Sequence, residues 1–417
     1  MLDDGVPAVL LRIDPNPFHH GTLGAVRSLG RAGVDVHVVA ASERSPVRRS
    51  RFLSGAHPPP GPDAPPAEVG AVLRRVAAQV AGPAVLIPMD DAGAVAVSRL
   101  RAELLTRYLL PDQPAGLAER VADKARLPEV CAAAGISHPA TVTPESPEEA
   151  RSAVRELGLP VVAKWSRPWL VPPGTGLRST RVLHSADEAA ALYERTGEAG
   201  SRLLLQAYLP ASAGGDWFFH GHVDRRGVLR GGGAGRKQRS WPRGAGLTTV
   251  GRWVPNPDLE ALVDRLVTTL GYRGILDADF RVDPRTGRYC LLDLNPRPGA
   301  QFRLFADDAG LDVVRALHLD LTYRRPPAPR TVPGRMFVVE NYAPFSALRG
   351  ARAGRELAWY SRDDPGPGLA MAGLWCRHVA GRLWRGAPVP QSGSDEHPHP
   401  TPVMDEEKAS CRSCTTC

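Results

Sequence analysis

Apolar and polar positions follow two rhythms along this 417-residue chain. "PAVLLRI" from Pro7 and "VDVHVVA" from Val34 are short β-rich runs; between them "GTLGAVRSLGRAG" repeats apolar residues at Leu23, Val26 and Leu29 before Gly33. Helical spacing inside and β-rich runs outside predict strand, helix, strand. A second helical stretch, "AEVGAVLRRVAAQVAG", leads into "AVLIPMDD", a strand that ends in acid. This order predicts an open α/β sheet, where ligands lie beyond the carboxyl ends of strands. The Gly-x-Gly-x-x-Gly fingerprint is absent, which argues against a dinucleotide domain.

From about residue 115 the pattern changes. "SPEEARSAVRELGLPVVAKW" opens on a capping box, Ser146 to Glu149 with Pro147 in the first turn, and runs into a buried strand carrying Lys164. "SADEAAALYERTG" repeats the device with Ser185 and Glu188, and the glycine-containing loop "RPWLVPPGTGLRSTRVL" lies between them. "NPDLEALVDRLVTTLGYRG" has Asn256 as cap, Gly271 as stop, and apolar residues at helical period between. "GILDADFRVDPRTGRYCLLDLNPR" reads as a hairpin. Leu276, Ala278, Phe280 and Val282 share one face of its first strand, and Asp277, Asp279 and Arg281 the other. In the second strand Leu292 and Leu294 should oppose Leu291, Asp293 and Asn295. With a turn at 283–287, Asp279 and Asp293 become diagonal neighbours, roughly 7–8 Å apart. Pairing alone places Asp277 opposite Asp293 just as readily.

Beyond residue 325 the chain turns proline-rich, predicting a linker and a small appendix. The final stretch has too little apolar surface to fold alone, so a disordered tail is expected there. Its "CRSCTTC" has Cys-x-x-Cys-x-x-Cys spacing, an incomplete zinc site by itself. Cys131, Cys290 and Cys376 are isolated and make no disulfide framework. No run approaches the ~20 apolar residues of a membrane span, and the N-terminus lacks the order of a signal peptide. The expectation is a cytoplasmic protein with no membrane partner. The net charge of +8 is spread along the chain as arginine, without a basic stripe, which argues against nucleic acid and favours acidic small ligands. The chain has only four lysines, Lys124, Lys164, Lys237 and Lys408. Against so many arginines, each marks a place where a compact ammonium is wanted.

Paired carboxylates repel unless a cation lies between them. Asp279, Asp293 and the amide of Asn295 form a hard oxygen set suited to magnesium, which takes its remaining ligands from water and phosphate. Arg297 then offers a bidentate donor to phosphoryl oxygens.

These residues carry a resemblance to the ATP-grasp superfamily, and within it to carboxylate-amine ligases of the D-aspartate ligase type. It runs from "RSLGRAGVDV" through "ADKARLPEVCAAAGISHPATV", "LPVVAKW", "LLLQAYLP" and "LGYRGILDADFRVD" to "LLDLNPRPGAQF". The fold implied is α/β, with α+β character in the ATP-grasp part. Residues 1–112 would form an open pre-ATP-grasp domain, 113–205 and 206–325 the small and large ATP-grasp subdomains, 326–386 a linker and appendix, and 387–417 the tail. The resemblance assigns metal binding to Asp279, Asp293 and Asn295, phosphate contact and catalysis to Arg297 and Lys164, and nucleotide binding to Lys124 and Lys164. It makes Gly174, Gly176, Ser179 and Thr180 the loop over the phosphates, Gln206, Ala207, Tyr208 and Leu209 the adenine hinge, and Asp216 the ribose acceptor. "GAGRKQRSWPRGAG" carries Arg236, Lys237, Arg239 and Arg243, of which one or two should reach the acyl phosphate or a substrate carboxylate; Arg239 stands for that role.

The activity implied joins a carboxylate to an amine through an acyl phosphate, with ATP and two Mg2+ ions, or Mn2+ in their place. Small-molecule acids and amines are the partners, and a homodimer is left open. The chain departs from the pattern at its metal positions, where aspartate replaces the usual glutamate, and at Ala207, where the hinge usually has an acid. The shortened acids motivate the competing reading, an ATP-binding regulator of the same fold without turnover.

Overall fold

In the computed structural model, residues 2–40, 43–61, 64–241, 246–325, 332–348 and 354–384 are described. The proline-rich segment 326–331, Arg243 and the cysteine-bearing tail lie outside them.

The N-terminal apolar runs form β1 (Ala8–Leu11), β2 (Val36–Val39), β3 (Gly55–His57), β4 (Ala84–Pro88) and β5 (Tyr108–Leu109), a parallel sheet ordered β3-β2-β1-β4-β5. Ala8 and Leu10 pack with Leu23, Val26 and Leu29 of the helix His20–Gly30, whereas Val9 and Leu11 pack with Val69, Val72 and Val76 of the helix Pro66–Gln79. With helices on both faces, every side chain of β1 is buried, which is why the run shows no alternation.

A smaller antiparallel sheet follows: β6 (Thr141–Val142), β7 (Val161–Trp165), β8 (Thr180–Leu183) and β9 (Leu203–Ala207), ordered β6-β9-β7-β8. Helices cover one of its faces, and Leu204 and Gln206 are buried on the other. Ala150 and Val154 of the helix Pro147–Leu157 and Ala189 of the helix Ala186–Tyr193 pack on Val161, Ala163 and Trp165. Lys164 points away from the helices, on the face it shares with Leu204. Both helices start as expected: Ser146 Oγ accepts from Glu149 N at 3.1 Å, and Ser185 Oγ from Glu188 N at 3.2 Å.

β10 (Asp216–Val223), β11 (Leu229–Trp241), β12 (Leu247–Trp253), β13 (Gly274–Val282), β14 (Tyr289–Asn295), β15 (Met336–Val338) and β16 (Arg355–Leu357) make the central sheet, ordered β14-β13-β10-β11-β12-β15-β16. Leu259, Val263 and Leu266 of the helix Pro257–Leu270 cover one face, against Phe219, Leu276, Ala278, Phe280, Leu291 and Leu294. The C-terminal strands extend the sheet's edge, and Phe337 and Trp359 enter the same core as Leu23 and Val26. A buried ion pair, Arg27 Nε to Asp364 Oδ2 at 2.8 Å, joins that C-terminal part to the first helix.

The hairpin register differs from the expectation. Asp279 faces Asp293 directly and Asp277 faces Asn295, because the loop is a residue longer than 283–287, with Val282 paired to Tyr289, and a bulge falls between Asp279 and Phe280, which pairs with Leu291. Leu292 is the extra residue. The bulge breaks alternation, so Leu291 joins Leu294 in the core instead of sharing the face of Asp293.

Candidate active site

The polar face of β13 and β14 meets the carboxyl ends of the parallel strands and the loop after β7 at a cavity of about 720 Å³. Asp277, Asp279, Asp293, Asn295, Arg297 and Lys237 line it from the central sheet. Asp14, Asn16, His19, Asp90 and Asp91 close it from the N-terminal sheet, and Trp169, Val171 and Pro173 from the loop.

Three lysines converge on this face. Lys124, at the start of the short turn before the helix Leu127–Ala134, forms an ion pair with the carboxylate of Asp293. Lys237 Nζ lies 2.8 Å from Asp279 Oδ1. Lys164 Nζ donates to the carbonyl of Leu292, the bulged residue, at 3.0 Å. Burial, and then the neighbouring Lys124 charge, bring Lys164 down to about 8, although Asp293 pulls the other way. Burial would lower Lys237 too, but Asp279 holds it above the ordinary lysine value. Burial would raise Asp293, yet Lys124 and Lys164 hold it below the ordinary carboxylate value.

Arg297 is gripped from two sides: its Nε lies 3.1 Å from Asp91 Oδ1, and its Nη1 lies 3.0 Å from Asp277 Oδ2. Asp91, Asp277 and Asp293 together outweigh burial and raise its pKa. Asp90 has a different task. Its carboxylate accepts from Ile13 N, Asp14 N and Gly93 N, each at 2.7 Å, and so ties the end of β1 to the start of the helix Asp91–Arg99.

The remaining residues expected at the site do not line the cavity. Gly174 and Gly176 have positive φ, 91° and 75°, in the loop whose Val171 and Pro173 reach the cavity; they and Ser179 stand outside the lining. Gln206 is buried and donates to Thr141 Oγ1 at 3.1 Å, Ala207 N donates to the carbonyl of Ala140 at 2.8 Å, and Leu209 gives its carbonyl to Arg281 Nη1 at 2.9 Å. Tyr208 sits between Ala207 and Leu209, also outside the lining. Asp216 is paired with Arg281 Nε at 2.5 Å. Arg239 is not brought to the cavity: it is exposed on β11, where the ladder is irregular on both sides of it, and Lys237 takes the inward position. Sequence reasoning also missed Asp91. Its only signal was a strand ending in acid.

The donor set fits a hard divalent cation. No group of three or more His, Cys, Asp or Glu among the described residues is arranged to hold a metal alone. Two facing carboxylates and an amide oxygen instead match an ion that keeps places for phosphate and water.

The arrangement is a parallel N-terminal sheet followed by a small lysine-bearing sheet and a larger sheet carrying paired acids. Solved structures share it. The N5-carboxyaminoimidazole synthetase of Staphylococcus aureus complexed with ADP matches with a TM-score of 0.60 and 13% identity, over 80% of this chain and 82% of that one. The L-amino acid ligase of Bacillus licheniformis matches with a TM-score of 0.59 and 12% identity, over 81% and 79%. In sequence, the chain is similar to the D-aspartate ligase of Enterococcus faecium, 23% identical over 331 residues that make up 76% of this chain and 77% of that protein. No family model matches the chain.

Proposed function

We propose that this chain is an ATP- and magnesium-dependent ligase that joins a carboxylate to an amine through an acyl phosphate. The observation that carries the reading is the convergence of three of the chain's four lysines on the polar face of one hairpin, two of them paired with the facing acids Asp279 and Asp293. An arginine-rich protein has little use for such a cluster except to meet a ligand that brings both negative charge and a cation. The similarity to a D-aspartate ligase supports it.

Asp279, Asp293 and Asn295 would hold magnesium, which when bound neutralises the phosphates of ATP. Lys124 and Lys237 then exchange a carboxylate for phosphate oxygens, and Lys164 supplies a further ammonium from the small sheet. Arg297, fixed by Asp91 and Asp277, keeps a permanent positive charge beside the transferring group. Trp169, Val171 and Pro173 wall the cavity and shield the acyl phosphate from water until the amine attacks. The acid and amine are small molecules received between the two larger sheets. A cytoplasmic location belongs to this reading, since ATP must be supplied.

The test is ADP release from the purified chain with Mg-ATP and a panel of acids and amines. Release that needs both substrates and stops on chelation is expected; absence of ATP binding together with absence of ADP release defeats the reading. The short arms of Asp279 and Asp293 favour one alternative, a nucleotide-binding regulator. Tight ATP binding without ADP formation, unchanged in the Asp279→Glu, Asp293→Glu double variant, would select it.

A further inference from the structure

Asp277 shares a face of β13 with Asp279, yet its hydrogen-bond partners are different. Its Oδ2 accepts from Asn295 Nδ2 at 3.1 Å and from Arg297 Nη1 at 3.0 Å, and its Oδ1 lies 3.3 Å from His220 Nε2. Asp277 is 8% exposed and Asn295 4%, so bulk water does not compete for these bonds. Gly299 closes the space behind: a Cβ there would stand 2.1 Å from His220 Cε1 and 2.8 Å from Asp277 Cγ.

An ionised carboxylate only accepts hydrogen bonds. Burial raises Asp277 to about 7 against the pull of Arg297; with Arg297 Nη1 donating to the same Oδ2, Asn295 presents its NH2 end there and turns its carbonyl oxygen the other way. Were the amide to rotate half a turn, its NH2 would point where a cation needs an oxygen. Arg297 is constrained by the same carboxylate, since Asp91 alone would leave its guanidinium plane free to swing.

We propose that Asp277 is a positioning residue, not an ion ligand: it fixes the amide of Asn295 with oxygen outward and, with Asp91, locks the plane of Arg297. This rests on the ligase reading, because the outward oxygen matters only if a cation is bound there. Partners of this kind around a metal site typically cost about 10–100-fold in affinity or activity when removed.

The experiment is a double-mutant cycle on the full chain, reading Mn2+ affinity in the presence of ADP from the electron paramagnetic resonance signal of free Mn2+. Asp277→Asn should weaken Mn2+ binding about 10-fold and Asn295→Ala at least as much. Arg297, beside the transferring group that ADP lacks, does not enter this readout, so the double variant should be no weaker than Asn295→Ala alone, where Asp277 acts through that amide. Factors that multiply, or an Asp277→Asn variant with unchanged Mn2+ affinity, overturn the proposal while leaving the ligase reading intact. A wild-type chain that takes up no Mn2+ with ADP overturns both. If Asp277→Asn does not fold, Asp277→Ser enters the same cycle with the same criteria.

Discussion

The N-terminal parallel sheet and the central antiparallel sheet use buried charge for opposite ends. In the first region, charged groups are consumed by the fold: Asp90 is saturated by backbone donors of Ile13, Asp14 and Gly93, and Arg27 is locked to Asp364. In the second, Asp279 and Asp293 are neutralised by lysines that a nucleotide and its cation would redirect. Partner type separates the two cases. A backbone N–H has nowhere else to go, whereas an ammonium on a flexible stem can change partner. The lesson is that burial of a charge does not mark function; exchangeability of its partner does.

The largest effect is expected at the ion pair that only holds the fold. Asp364→Ala leaves Arg27 buried without its carboxylate and should cost about 3–5 kcal/mol, read by urea denaturation, with turnover per folded molecule unchanged. Loss of turnover at full stability would reverse the assignment. On the functional side, Asp293→Asn should lower ADP release about 10²–10³-fold while the melting temperature stays close to wild type.

A smaller effect sharpens the role of Lys164. Its value in the folded chain, about 8, lies below that of a free lysine, so the ammonium is present at neutral pH and lost as pH rises through 8. Phosphates favour the charged form, so ATP should bind about tenfold more weakly at pH 9 than at pH 7. Fluorescence titration across that range checks it, and Lys164→Arg should flatten the profile. The smallest effect is expected at Arg239, exposed on β11 and outside the cavity lining. Arg239→Gln should change kcat/KM for ATP by no more than about twofold, against a large loss for Lys237→Gln.

Local chemistry made much of this legible. Helix caps at Ser146, Ser185 and Asn256 lie where their patterns put them, because capping is satisfied within a few residues of the cap. The apolar runs of the parallel sheet were equally plain, since burial on both faces needs no register. Asp293, Asn295, Lys124 and Lys164 could be singled out because few other roles suit a lysine or a paired acid in those strands. Arg239 and Lys237 could not be told apart, because irregular pairing on either side of Arg239 defeats simple alternation.

Residue type and spacing alone carried the order of elements, the apolar runs of the first sheet, and the candidacy of Asp279, Asp293, Lys124 and Lys164. Each follows from residue type and short-range spacing. Which aspartate faces which follows from packing between strands. The hairpin around "YCLLDLNPR" carries a bulge at Leu292 that shifts the pairing, sets Asp279 against Asp293, and gives Asp277 to Asn295 and Arg297. A bulge balances core packing of Leu291 and Leu294 against ladder geometry, and that balance is struck between strands, beyond the reach of spacing within one.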